Sequence, residues 1–492
     1  MSTGMFSPIY IERVLKPAYR NWIRYFWPHL MRIQKAHLCM LAERGVISQD
    51  VGRTLHDRLE WMTRNWQPPV QYPVHEAAED LYFVLEQELA RLEGEESAAW
   101  LHTARSRNDM DTTAFRMALR EALIGLCRNM LDVWDRIEDR ARKGADELTV
   151  LYTHGQPANP STTEHYLTAL LLDFAEDIEA LQKAIECVDS STMGACAITG
   201  TGFSIDRQRV AELLGFSAVD LHTYRAIAGS HWLVAPAQAV QRIMLDIGRF
   251  IADLLHKSSA EVGLYSFNDD LVQISSIMPQ KRNPVILEHI RIQAGQVAGC
   301  CNSIVGSFMN VPYQDVNENA DALVSQFMDS MPLAGSVLDL LCAALEGMCA
   351  NSERAEEICR AYGVTTTELA DTLVRKKKIG FRAAHGICAV FAKSGGNLDV
   401  LRRAWQERSG EGLSWDDEEI SGILDPRHFV EVRTTPGGPA VEGMVPVYAM
   451  LKKRRDAIAD WVRLVQKRLA LADERLADAW KSLEQGEGQG DW

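Results

Sequence analysis

The sequence lacks any run of about 18 apolar residues, the length that a membrane-spanning helix needs. Its N-terminal segment also lacks the apolar core of a secretory signal peptide. We therefore expect a cytoplasmic protein that has no membrane as a partner. The ten cysteines include no Cys-x-x-Cys pair and no regular framework, which favours reduced thiols over disulfides or a zinc site.

Positive charge is also scarce. The 492 residues carry a net charge of −15, which argues against nucleic acid and anionic membrane surfaces as partners. The sequence contains no glycine-rich phosphate loop, zinc-binding spacing or nucleotide-binding fingerprint, so we expect no metal and no organic cofactor. An anionic ligand must then be bound by a local cluster of basic residues.

Apolar residues at helical spacing are the dominant pattern. They recur every three or four positions from Phe115 to Ile137 and from Leu167 to Val188, which predicts amphipathic helices of several turns. Some helices are apolar on more than one face, as in "VLDLLCAALEGMCA", and we expect other subunits to cover them. The predicted fold is all-α, with long central helices in a bundle. Further long helices are expected near 237–262, 284–306, 322–350 and 443–485.

The chain is too long for one compact core, so two or three domains are expected. We predict an N-terminal mixed helical domain over residues 1–105, a long-helix domain over 106–360 and a smaller helical domain over 361–492. Near the start of the last region, three threonines are followed by a glutamate in "VTTTEL". This pattern predicts a helix cap.

Three polar segments interrupt the helical pattern: "LHTARSRND" at 101–109, "YTHGQPANPSTTEHY" at 152–166 and "QISSIMPQKRNP" at 273–284. Taken alone, the first could be a solvated loop with capping residues, the second a helix–helix connection and the third a basic surface loop. The third combines two hydroxyls, two cations and a carboxamide, which suits anion binding. We expect Pro284 to open a helix.

Together the three segments resemble the argininosuccinate lyase family of the aspartase/fumarase superfamily. "SSIMPQKRNP" is similar to the signature Gly-Ser-Ser-x-Met-Pro-x-Lys-x-Asn-Pro in all but the leading Gly. "HTARSRND" and "THGQPANP" resemble two further elements, and "GTGFSIDR", "TTTELADTLVRKKKIGFRAAH" and "VEVRTTPGGPA" continue the resemblance in the family's order. The resemblance implies three helical domains and a homotetramer in which three subunits contribute to each active site.

The resemblance also implies an activity. The family releases fumarate by anti-elimination across the Cα–Cβ bond of a substituted succinate. The intermediate is an aci-carboxylate, which needs donors and positive charge placed where its negative charge develops. By resemblance, Ser275 is the base and His154 the second catalytic group. Glu288 would be the carboxylate that fixes the imidazole tautomer, and Lys281 the cation that stabilises the intermediate.

A serine is a poor base unless neighbouring groups stabilise its alkoxide, so we expect the third segment to act as a lid that closes a dry site. Arg107 and Asn108 are expected at the substrate's carboxylate and amine side. Thr153 and Gln156 are expected at the other succinyl carboxylate. The remaining implied substrate-binding residues are Ser276, Met278, Gln280, Asn283 and Tyr313.

The sequence departs from the family in the segment "PYQDVNENAD" at 312–321. The family has Gln and Lys five and eight residues after a tyrosine, and these groups hold the arginine part of the substrate. Tyr313 is present, but the next two positions are Glu318 and Asp321 in an ungapped match. A one-residue gap would place Asn317 and Ala320 there instead. Neither match restores the lysine.

Two further family features are changed. Ile274 stands where the signature has glycine, and "AGSHW" at 228–232 replaces an Asp-Arg-Asp motif. We therefore expect reversible cleavage of an N-substituted aspartate, such as ethylenediamine-N,N'-disuccinate, into fumarate and an amine. Argininosuccinate, fumarate hydration and adenylosuccinate cleavage are alternatives within the superfamily. A crystallin-like structural role is the alternative of another class, but the intact catalytic set disfavours it.

Overall fold

The structure is a computed structural model that describes residues 6–73 and 79–485. It is mostly helical, as the apolar periodicity predicts. The α-helices are α1 (Pro8–Tyr10), α2 (Lys16–Asn21), α3 (Trp27–Glu43), α4 (Gln49–Asn65), α5 (Leu81–Glu93), α6 (Glu95–Ala99), α7 (Arg107–Lys143), α8 (Thr163–Val188), α9 (Arg207–Leu213), α10 (Thr223–Ala228), α11 (His231–Lys257), α12 (Val285–Ser307), α13 (Asp321–Glu346), α14 (Ser352–Ala361), α15 (Thr366–Lys377), α16 (Phe381–Lys393), α17 (Leu398–Ser409), α18 (Asp417–Ile423), α19 (Pro426–Glu431) and α20 (Val441–Gln485).

The strands are short and pair in twos. They are β1 (Leu148–Thr153), β2 (Gln156–Thr162), β3 (Ser190–Ser191), β4 (Ala218–Val219), β5 (Tyr265–Phe267), β6 (Gln273–Ile274), β7 (Arg282–Asn283) and β8 (Met348–Ala350). The pairs β1–β2, β5–β8 and β6–β7 are antiparallel, and β3–β4 is parallel. Two of these pairs, β1–β2 and β6–β7, carry the second and third polar segments.

Five long helices form the central bundle. Helix α7 packs on α8, α8 on α11, α11 on α12, α12 on α13, and α13 returns to α7. Large side chains such as Phe115, Trp134 and Trp232 are fully buried between them, and each stabilises the fold by about 1.5–3 kcal/mol relative to exposure. The helices predicted from periodicity therefore exist, with ends that differ from the predicted ones by a few residues. Pro284 is the N-cap residue of α12.

By length and composition alone, the segment Asn317–Glu346, which includes α13, would suffice to cross a membrane. Acidic residues including Asp321, Asp329 and Asp339 interrupt it, and α7 and α12 pack against α13. Only 39% of its most apolar window is buried within one chain. This composition suits a bundle helix with a second apolar face. The expectation that the sequence has no segment long and apolar enough to cross a membrane was therefore too strict.

The last part of the chain contains a second, small core between α15, α16, α17 and α18. Helix α15 begins beside Thr365, as predicted, but the Thr365 side chain makes no capping hydrogen bond. The capping prediction was wrong because Glu368 is fully buried and its carboxylate accepts from Arg375 and, at 2.6 Å, from Arg433. Helix α20 then returns to pack on α3, α4 and α8. The domain division at residues 105 and 360 stays a prediction.

Candidate functional site

The third polar segment forms the tip of a small hairpin. Strand β6 pairs with β7, Gln273 opposite Asn283 and Ile274 opposite Arg282. The Ser275 amide donates to the Lys281 carbonyl at 3.4 Å, and the Lys281 amide donates to the Met278 carbonyl at 3.0 Å. The hairpin therefore places Ser275 and Lys281 next to each other at its neck.

The Ser275 hydroxyl oxygen accepts hydrogen bonds from two backbone amides. The donors are Met278 N–H at 3.0 Å and Ile277 N–H at 3.3 Å. Backbone donors aimed at an oxygen stabilise negative charge on it. This geometry is compatible with the predicted role of Ser275 as a base, which stays a prediction.

The rest of this hairpin is open to solvent in one chain. Ile274 and Ile277 are 70% and 84% exposed, which leaves an apolar tip uncovered. Ser276, Gln280 and Lys281 are exposed as well, and Met278 is 40% exposed. The hairpin is thus available to close on another surface.

The second polar segment is also a hairpin, which sequence reasoning missed. Thr153 at the end of β1 pairs with Gln156 at the start of β2. Between them His154 and Gly155 have φ values of 53° and 73°. Positive φ at both central residues defines the two-residue turn that suits the twist of a hairpin. The His-Gly pair between two short runs was the available signal. The turn presents Thr153, His154 and Gln156 together, all exposed.

The buried side chain of Lys257 anchors the β1–β2 hairpin to the end of α11. Lys257, at the end of α11, is 1% exposed and its Nζ donates to the Val150 carbonyl in β1 at 2.9 Å. The ammonium also lies 4.6 Å from the ring centre of Tyr152. Burial lowers the pKa of Lys257, and Asp253 acts in the opposite direction. The hydrogen bond ties the strand that carries His154 to the central bundle.

The first polar segment begins the longest bundle helix. Ser106 is the N-cap residue of α7 and forms a capping box with Asp109. The fully buried Asp109 carboxylate also accepts from the Gly194 amide at 2.9 Å and the Cys196 amide at 3.0 Å. The helix start is therefore held rigidly, and it fixes Arg107 and Asn108 in the first turn.

Arg107 and Asn108 both contact carboxylates. Arg107 Nη1 lies 2.9 Å from Glu79 and 3.2 Å from Asp80. Burial lowers the pKa of Arg107, but the two carboxylates outweigh it, so the pKa is raised. Asn108 Nδ2 donates to Asp315 at 2.5 Å. The structure thus joins the first polar segment to the rewritten segment that follows Tyr313.

Further acidic side chains lie around the contact between Asn108 and Asp315. Burial raises the pKa of Asp111 well above its ordinary range, and the neighbouring Asp80 raises it further. Burial also raises the pKa values of Asp80, Asp315 and Asp321. Asp321 opens α13, and its carboxylate accepts from Asn21 at 3.4 Å. None of Asp80, Asp111 and Asp315 was predicted as a site residue. The available signal in the sequence was the number of acidic residues close to the segments that resemble the family.

Tyr313 lies at the edge of the same region. Its side chain is 61% exposed and packs edge-on against Tyr224, with the ring centres 5.8 Å apart. The Tyr224 hydroxyl donates to the Tyr313 carbonyl at 2.6 Å. Tyr313 is therefore fixed through its backbone and leaves its hydroxyl accessible.

One chain does not bring the three polar segments together. Within residues 6–73 and 79–485, no hydrogen bond or ion pair links His154 to Glu288, or either of them to Ser275 or Arg107. Glu288 lies in the first turn of α12 and is exposed. The predicted site residues are therefore divided among two hairpins and the acidic region around Arg107.

Comparisons with known proteins identify relatives over almost the whole chain. A family model described as a lyase matches residues 27–299. Argininosuccinate lyase 2 of Agrobacterium fabrum is 38% identical and covers 92% of this chain and 91% of that protein. Argininosuccinate lyase 1 of Shouchella clausii is 30% identical, and the match covers 87% of this chain and 88% of that protein. A variant of EDDS lyase with bound fumarate superimposes with a TM-score of 0.84 at 24% identity, over 98% of this chain and 97% of that one. The last likeness concerns the fold.

Proposed function

The chain belongs to the argininosuccinate lyase family of the aspartase/fumarase superfamily, and on that premise we propose that it splits N-substituted aspartates other than argininosuccinate. It is a carbon–nitrogen lyase, and the bond it breaks releases fumarate. The proposed substrates are of the type of ethylenediamine-N,N'-disuccinate, and the reaction is reversible. The amine part of the substrate is the new element of the proposal.

Ser275 removes a proton from Cβ, the carbon that bears a carboxylate but not the nitrogen. The electron pair forms the new Cα–Cβ double bond, and the bond to nitrogen breaks. The two amides that donate to Ser275 Oγ support this role, because they stabilise the alkoxide. Lys281 and Asn283 face the aci-carboxylate, while His154 with Glu288 forms the second catalytic group. Thr153 and Gln156 bind the other succinyl carboxylate.

The single observation that carries the choice of amine is the contact between Asn108 and Asp315. It places the rewritten acidic segment on the residues expected at the amine side. A lysine that would bind arginine's α-carboxylate is missing there, and carboxylates repel such a group. An amine without that carboxylate suits the pocket better.

Argininosuccinate itself is the second candidate substrate. The identity of 38% to Argininosuccinate lyase 2 over most of both chains favours it. Residues elsewhere in the pocket would then have to replace the missing lysine.

The active unit is a homotetramer whose sites combine residues of three subunits. The separation of the two hairpins and the Arg107 region within one chain supports this proposal. The apolar surface that α13 leaves uncovered supports it as well.

The test compares argininosuccinate and ethylenediamine-N,N'-disuccinate side by side. Loss of two charge-assisted hydrogen bonds to the arginine part should lower kcat/KM for argininosuccinate by about two to four orders of magnitude relative to the better substrate. Fumarate release, followed by its ultraviolet absorbance, measures both reactions. If argininosuccinate is better by about tenfold or more, the second candidate replaces the first. A panel of amines with fumarate, with adducts identified by mass, widens the search.

A further inference from the structure

Several carboxyl groups lie around the single guanidinium of Arg107. Glu79, Asp80 and Asp111 approach it from the start of α5 and from α7. Asp315 comes from the segment before α13, and Asp321 is the first residue of α13. Burial raises the pKa values of Asp80, Asp111 and Asp315, and Arg107 acts in the opposite direction. One positive charge therefore serves several carboxylates.

Most of these carboxylates are satisfied within the chain. Asp80 accepts from the Phe83 amide at 3.2 Å and pairs with Arg107, and Asp321 accepts from Asn21. Asp111 differs, because its Oδ1 is buried and has no hydrogen-bond partner among the described residues. Asp111 lies one helical turn after Arg107 in α7, so the two side chains share one face of the helix. A buried oxygen without a donor is costly and favours binding of one.

We propose that Asp111, with Asp80 and Asp321 beside it, binds a second, positively charged nitrogen in the amine part of the substrate. This inference rests on the proposed function and adds the residues that select the amine. An ammonium offers several N–H donors and one positive charge in a small volume. It would satisfy Asp111 Oδ1, and its positive charge would favour the ionised form of this carboxyl group, which burial disfavours.

A metal ion fits this place less well than an ammonium. Among the described residues, no group of three or more His, Cys, Asp or Glu side chains has the arrangement that could hold a metal ion. An ammonium does not require several oxygens at coordination distance, because it binds through individual hydrogen bonds. The occupant is therefore a diamine rather than a cation of a metal.

The experiment uses two amines of equal length, ethylenediamine and ethanolamine, which differ only in the second polar group. Each is added to fumarate with the full-length wild-type enzyme, and kcat/KM is measured from the loss of fumarate absorbance. Wild type should prefer ethylenediamine by about 10- to 150-fold, the scale of one charge-assisted hydrogen bond.

Asp111→Asn tests the residue, and Asp139→Asn is the matched control. Asp139 lies on the same helix, is 63% exposed and pairs with Lys143 four residues away. Asp111→Asn should lose most of the preference for ethylenediamine over ethanolamine. Circular dichroism shows whether the variant is folded. The control should keep the wild-type preference.

Three outcomes would overturn the inference. Wild type could treat both amines alike, Asp111→Asn could keep the preference, or Asp111→Asn could lose activity with both amines equally. The proposed function fails by a different result, namely cleavage of argininosuccinate without addition of either amine. That result would overturn both proposals, whereas equal addition of the two amines overturns only this one.

Discussion

The two hairpins and the region around Arg107 differ in how much one chain completes them. His154, Lys281 and Glu288 are exposed, and the bonds that shape the two hairpins are mostly internal. Arg107 and Asn108, in contrast, each have a partner from a distant part of the same chain. The residues proposed for the chemistry are thus incomplete in one chain, while the residues proposed for the amine are already assembled.

This difference has a physical origin. The hairpin of β6 and β7 has strands of two residues each and buries too little surface to organise a site by itself. The longer hairpin of β1 and β2 is tied to the bundle through Lys257, but its turn at His154 is exposed. The amine side is built at the starts of α5, α7 and α13, which are anchored in a packed core. Under the proposed function, the residues that recognise the amine are assembled in one chain, and the residues that break the bond come from several chains. Three predictions test this contrast, beginning with the largest effect.

The largest effect is expected at Ser275. Ser275→Ala removes the proposed base together with the oxygen that accepts from two amides. Turnover should fall by roughly 10²–10⁴-fold, the usual scale for a general base, while the fold is unchanged. Ser276→Ala, the neighbouring change, should cost much less. Steady-state rates and circular dichroism measure the two properties. A Ser275→Ala enzyme with more than about half of the activity would refute the role.

The second effect concerns assembly of the two hairpins. Ser275→Ala and His154→Asn should each be inactive alone, because each removes one catalytic group from every site. Refolded together in equal amounts, they should regain roughly a quarter of wild-type activity, since random mixing leaves both groups intact in that share of sites. The activity of the mixture, measured against each variant refolded alone, provides the test. Full activity in a chain shown to be monomeric would contradict shared sites.

The smallest expected effect is on the pH dependence of the protein's stability and comes from Asp111, in the region around Arg107. Burial and Asp80 raise the pKa of Asp111 in the folded state, so the folded chain binds a proton that the unfolded chain has lost. This contribution is fully present below the unfolded pKa of about 3.9 and is lost as the pH rises through the raised folded value. Tm should therefore fall more steeply in wild type than in Asp111→Asn.

Each unit of pKa difference corresponds to about 1.4 kcal/mol, so a shift of a few degrees in Tm is expected. Asp109, Asp321 and Arg107 also act on this carboxyl group, but they are present in both proteins. Thermal unfolding is followed upward from about pH 4, near the unfolded pKa. Parallel curves for the two proteins would show that the environment of Asp111 does not penalise its charge.

Much of the fold could be predicted because it depends on local pattern. The periodicity from Phe115 to Ile137 is sufficient to place a long helix, and α7 contains it. The capping prediction failed because Glu368 meets Arg433, a partner far along the chain that no local pattern reveals. The hairpin at His154 was missed because β2 is polar, contains two prolines and lacks regular apolar alternation.

The sequence by itself determined the family, the helices and the residues proposed for the chemistry, because motifs and helical periodicity lie within short stretches. Only the tertiary structure placed Asp111 beside Asp80 and Asp321. These residues come from different parts of the chain, and each alone reads as an ordinary residue near a helix start. They become a group because α5, α7 and α13 begin at the same place in the fold. The unpartnered oxygen that suggests a cationic ligand follows from that packing.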